Sequence, residues 1–118
     1  MNGIQTMCVM AVLLSAGCVA GYRTDLNSPD PAARIRAIRH VVETGDQGAL
    51  PLLVDRLEDE DEGVRFYAIA ALTRITETDM GYKYYKPARE RLPAVKRWRD
   101  YVRERAAPAS TQAASSRP

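Results

Sequence analysis

Apolar residues recur at helical spacing through most of the chain, and their phase marks out four helices. In "SPDPAAR", Asp30 is placed to cap the first N–H groups of a helix, and Pro31 suits the first helical position because it has no N–H to lose. Ile35, Ile38, Val41 and Val42 then share one face, with Arg36, Arg39 and Glu43 opposite. The glycines of "ETGDQGAL" end that pattern. A second helix follows with Leu50, Leu53, Val54 and Leu57 at i, i+3, i+4, i+7, and Pro51 is tolerated in its first turn. "EDEDEG" is the next turn, whose acids favour the start of a third helix, and Asp61 is the candidate cap. The third stripe is Val64, Ala68, Ala71, Leu72 and Ile75. After the loop "TETDMGYKYYK", a fourth helix is expected from about Pro87 to Arg105 on the stripe Leu92, Val95, Trp98 and Val102, with Pro93 making its start irregular or kinked.

Upstream the pattern changes. Residues 7–16 form an apolar run of ten, the size of a signal-peptide core and short for a membrane crossing, which needs roughly 20 residues. "LLSAGC" resembles a bacterial lipobox: Ala16 and Gly17 fit the small residues before a lipidated cysteine, and Ser15 departs from the leucine preferred there. The resemblance implies cleavage before Cys18 and lipid attachment to it. Val19 after the cysteine is compatible with sorting to an outer membrane where one exists. A plain cleaved signal and a retained anchor are the alternatives. Residues 1–17 are thus the expected signal peptide, 18–27 a tether and 28–105 the helical domain. The Ala/Ser/Pro-rich tail 106–118 is expected to be disordered, because it has too little apolar surface to offset its chain entropy.

Charge sharpens that division. No charged side chain precedes Arg23, although 27% of the chain is charged. The 17 basic and 15 acidic residues nearly balance, which removes any bulk drive toward nucleic acid, and none is expected as a partner. Cys8 and Cys18 are the only cysteines, so a chain cleaved before Cys18 has no disulfide and no thiolate metal site.

The helices also repeat. Placing "DPAARIRAIRHV" over "DEGVRFYAIAAL" at an offset of 31 residues gives identities at Asp30/Asp61, Arg34/Arg65, Ala37/Ala68 and Ile38/Ile69, with caps and apolar phase matching. "GALPLLVDRLEDEDEGVRFYAIAALTRI" resembles a short HEAT repeat of the phycobilisome-lyase type, through Ala49, Leu50, Pro51 and Leu53, then Asp59 and Asp61, then Val64, Arg65, Ala68, Ala71 and Leu72. The resemblance covers about residues 28–76, with 77–105 as a modified ending. It implies a right-handed α-solenoid, a binding or scaffolding role, and a buried polar ladder in which a turn acid meets an arginine six positions later. Asp59 and Arg65 match that spacing. Arg34 is the equivalent of Arg65, but Ser28 stands where the first repeat's acid belongs.

Residues suited to chemistry are few. His40 is the only histidine, faces outward, and has no partner at metal-ligand spacing. Neither a nucleophile elbow nor a phosphate-cradling loop is present, so no catalytic residue, metal or cofactor is expected. The acidic run 55–62 lacks the alternation of a calcium loop and reads as a solvated turn. Residues 83–105 carry nine basic and three acidic side chains, together with Tyr84, Tyr85, Arg97, Trp98 and Tyr101. Two readings stand: an aromatic platform for a peptide or glycan, or packing of Trp98 and some tyrosines over the end of the third helix.

The expectation is therefore an all-α solenoid of about two hairpins, lipid-anchored through Cys18 at the cell envelope, binding protein partners without catalysis of its own. An accessory protein or enzyme of the lyase kind and a soluble secreted binding module are the alternatives.

Overall fold

The computed structural model describes residues 21–106. The expected leader, Cys18 and the tail from residue 107 lie outside the described residues. Four helices follow in order: α1 (Pro31–Thr44), α2 (Leu50–Asp55), α3 (Glu62–Thr76) and α4 (Ala88–Ala106). Single 3-10 turns, Gln47–Ala49 and Arg56–Glu58, extend α2 at both ends.

Local chemistry sets these boundaries. The Asp30 carboxylate accepts from Ala32 N at 3.0 Å with Pro31 following, and the Asp61 carboxylate accepts from Val64 N at 2.8 Å. At the end of α1, Gly45 adopts φ 64°, where a side chain would crowd the next carbonyl, and Asp46 N reaches back to Val41 O at 3.3 Å.

Helices α1 and α3 lie side by side in one layer, their starts brought together by the turn before α3. Helix α2 packs against α3 in the second layer, and α4 packs against α2. Leu26, Ile38, Val41, Leu53, Val54, Leu57, Val64, Leu72 and Trp98 are buried between them.

Two expectations change here. Part of the 18–27 segment expected to be a tether belongs to the folded body. Residues 21–25 are helical and Leu26 is fully buried. The Tyr22 hydroxyl donates to Asp46 Oδ2 at 2.5 Å, and Arg23 donates to both oxygens of the same carboxylate at 2.8 and 2.6 Å. The Tyr22 ring lies 4.5 Å from that of His40. This turn covers the open side of α1, where a preceding repeat would otherwise pack. Leu92, expected on the inner stripe of α4, is 51% exposed. It lines an open surface groove with Glu58, Lys96 and Arg103 instead of entering the core. Ala94, Val95 and Trp98 are the buried residues of that helix.

The ending after α3 is not a third hairpin. Residues 77–87 return along α3, a path of about 22 Å for fifteen helical residues. Tyr82 OH donates to Leu57 O at 2.6 Å, and Arg65 Nε reaches Tyr84 O at 3.0 Å. Helix α4 then runs antiparallel to α2, with Arg91 on Leu57 O and Arg105 near Gln47, whereas a third repeat would continue parallel to it.

Candidate interaction face

A polar ladder closes the interior at the N-terminal ends of α1 and α3. Its pairing differs from the spacing expectation. Arg34, 5% exposed, places Nη2 3.0 Å and Nε 2.9 Å from the two oxygens of Asp59, which is itself 8% exposed. Arg65 does not meet that carboxylate. Its Nη1 donates to the carbonyls of Asp59 (2.8 Å) and Glu60 (3.0 Å). Arg34 does the same in its own turn, with Nη1 on Ser28 O at 2.7 Å. The rule is that each arginine holds the carbonyl six residues before it and reaches forward to the next turn. Arg34 finds Asp59 there. Arg65 finds Tyr84 O, because no third acid follows. The acidic run is correspondingly not uniformly solvated: Asp59 is buried, and Asp55 and Glu58 receive Arg99 at 2.9 and 2.5 Å.

The five candidate surface residues of the C-terminal region separate into two groups. Trp98 is fully buried and its Nε1 donates to Asp79 O at 3.2 Å; Arg97 Nε donates to Met80 O at 3.0 Å; Tyr101 packs edge-on against Trp98 at 5.6 Å. Trp98 and Arg97 hold the return loop in place, and Tyr101 packs on the indole that closes the end of the core. Trp98 therefore forms no part of a surface.

Tyr85 faces outward and Tyr84 is half-buried against the core beside it, in company that the sequence reading missed. Phe66 and Tyr67 of α3 are 44% and 37% exposed, and Tyr85 is 57% exposed. Their rings form an edge-to-face chain: Tyr67 to Phe66 at 5.4 Å, Phe66 to Tyr84 at 5.1 Å, Tyr84 to Tyr85 at 5.3 Å. Large aromatics on the polar side of α3 were the available signal, because an exposed apolar cluster is the unusual observation and a buried one is not. Tyr82 was also missed. It is buried beneath them, and desolvation raises its hydroxyl pKa.

Beside the ring chain lies an open groove of about 590 Å³ between α3 and the return loop, bounded by Phe66, Ile69, Tyr84 and Tyr85. A second groove, about 330 Å³, runs between α1 and α3 past Arg39, Val42 and Tyr67. Ala70 and Arg74 border both. Electrostatically this face is mixed: Lys83 lies 3.7 Å from Asp79 and Lys86 3.9 Å from Glu90. The aromatic chain stands at the N-terminal end of α3, while the Tyr22–Asp46 latch lies at the C-terminal end of α1, so the two occupy opposite ends of the helices.

Among the described residues no group of His, Cys, Asp and Glu could hold a metal ion, and no helix is long and apolar enough to cross a membrane. What the arrangement offers is apolar and aromatic contact area on a rigid helical support. The family model described as HEAT repeats matches residues 23–109. The chain matches no curated protein and no solved structure.

Proposed function

The chain belongs to the HEAT-repeat family, and from that premise we propose that it is a protein-binding module, lipid-anchored through Cys18 at the cell envelope and without catalysis of its own. Solenoids of this kind use extended helical faces to bind partners. The observation that carries the reading is the chain of four rings on α3 and the return loop, three of them among the most exposed large apolar side chains described. Exposed aromatics held on a rigid support are the usual anchors of protein interfaces.

The anchor fits the same picture. From Cys18 to Tyr22 the chain spans at most about 14 Å, so a lipid on Cys18 would hold the latch end against the bilayer. The aromatic end would then face away from the membrane, toward exported partners.

A photo-cross-linking residue at Tyr85, compared with one at Lys96 on the α4 side, tests the binding reading in cells. Adducts with protein at position 85 and not at 96 support it. Equal labelling, or turnover of a small molecule by the purified chain with no adduct, refutes it. For the anchor, the intact mass of membrane-fraction protein should carry a diacylglyceryl group on Cys18, and Cys18→Ala should abolish it. Unmodified wild type in the soluble fraction would instead make this a secreted module.

A further inference from the structure

We propose that the two grooves bordering Ala70 form one site for an acidic protein segment bearing aliphatic anchors. The proposal deepens the binding-module reading and rests on it. The groove floor is apolar, with Ile69, Ala70 and Ala71 between walls of Phe66, Tyr67 and Tyr85. Its two arginines are unanswered. Arg23, Arg34, Arg56, Arg99 and Arg103 each meet a carboxylate within 4.0 Å, but Arg39 and Arg74, which border the grooves, meet none among the described residues. Arg36 and Arg89 are likewise unmet, yet border neither groove.

Two acids border the grooves as well: Asp79 lies 3.7 Å from Lys83, and Glu43, 4.0 Å from the His40 ring, meets no arginine. A guanidinium binds carboxylate in a planar, two-point fashion, so two free arginines beside an apolar trough select acidic groups flanking apolar anchors. A flat anionic membrane fits less well, because the two charges border a concave trough. The site runs from Arg39 on α1 across one helix spacing of about 8–10 Å to α3 and on to Tyr85 of the return loop, a path for a short extended segment.

A library of random heptapeptides selected on the full chain in detergent tests this. Enriched sequences should combine Asp or Glu with Leu, Ile or Val. A synthetic peptide of the enriched sequence should lose about tenfold or more in affinity for Arg39→Glu or Arg74→Glu. Ala70→Trp, which fills the junction from an exposed position, should weaken it similarly, while Lys96→Glu leaves it unchanged. All four variants change exposed side chains, and far-UV circular dichroism should show wild-type helicity. The proposal is overturned by neutral or basic enriched sequences, by no enrichment, or by binding indifferent to Ala70→Trp. Binding of phosphatidylglycerol vesicles that depends on Arg39 and Arg74 would overturn it in favour of a lipid surface. If the position-85 cross-linker captures a partner through a neutral segment, this inference fails while the binding-module reading stands.

Discussion

Replacing Asp59 with alanine should remove a large part of the stability of the domain. The carboxylate is 8% exposed and accepts from three donors, Arg34 Nη2 at 3.0 Å, Arg56 Nη1 at 3.3 Å and Asp61 N at 3.0 Å, while the Arg34 charge lies 2.9 Å away at Nε. Asp59→Ala leaves the Arg34 guanidinium buried with only Ser28 O as a partner. Breaking a buried pair from one side costs about 3–5 kcal/mol. A domain the size of the described span has about 4–13 kcal/mol in total. At about 4–8 °C per kcal/mol, the melting temperature should fall by roughly 12–40 °C. Urea unfolding followed by far-UV circular dichroism measures the change. A double-mutant cycle then locates it. Asp59→Ala and Arg34→Met should couple by more than about 1 kcal/mol, because removing both partners leaves no orphan charge. Asp59→Ala with Arg65→Met should come close to additive, since Arg65 holds the backbone at 59 and not the carboxylate. If the first pair is additive within about 0.5 kcal/mol, or the second couples more strongly, the ladder has been assigned to the wrong arginine.

Other perturbations probe the two ends. Trp98→Ala should cost about 3–5 kcal/mol, and in the wild type the fluorescence of this single tryptophan should be blue-shifted and move to the red on unfolding; a solvent-exposed emission in the native state would contradict its burial. Leu92→Ser, at a 51% exposed position, should change stability by no more than about 0.5 kcal/mol by the same urea assay, and a larger loss would place Leu92 inside the core. The Arg23 and Tyr22 hydrogen bonds, with the Arg23 charge, hold the Asp46 pKa below the ordinary carboxylate range. A depressed carboxylate contributes stability that is present above its unfolded pKa of about 3.9 and is lost as pH falls through the lower folded value. The protection factor of the Leu26 amide, its exchange rate relative to the unstructured chain at the same pH, should therefore fall below about pH 4, and in Asp46→Asn it should be low even at neutral pH; protection at Leu26 that is unchanged in Asp46→Asn would show that the latch does not depend on this carboxylate.

The parts of the fold written in local pattern were legible in the sequence: the four helices follow from apolar period, Asp and Pro at the starts, and Gly at the turn. What period alone cannot give is direction. The stripe of α4 reads the same whether the helix runs parallel or antiparallel to α2, and only long-range partners such as Arg91 on Leu57 O decide it. Leu92 was misplaced for a related reason, since a stripe does not reveal which of its edges the neighbouring helix covers. Tyr22 and Leu26, one helical turn apart, were a signal of packing in the presumed tether, but too short a one to stand out beside Gly21 and Asn27. At the candidate site, Trp98 and Tyr101 drew notice by type and Phe66 and Tyr67 did not, although their position on the polar side of α3 was the better guide. The pairing of Arg34 with Asp59 could not follow from a six-residue spacing, because the partners are 25 residues apart.

The reversed α4 explains how so short a solenoid closes. A HEAT array exposes the apolar flank of its last hairpin unless another repeat or a capping element covers it. Here the return loop lays Tyr82 along that flank, and α4 covers it with Ala94, Val95 and Trp98. The open edge before α1 is covered by the turn that carries Tyr22 and Leu26. With both flanks occupied, neither end is free to accept a further repeat, so a partner that bound by extending the solenoid would first have to displace one of them. Displacing the C-terminal cap would uncover Trp98, at a cost of several kcal/mol. The α1–α3 face needs no such opening. Phe66, Tyr67, Tyr85 and the two unanswered arginines are exposed in the closed fold, so the proposed binding would use the side of the solenoid and not its ends.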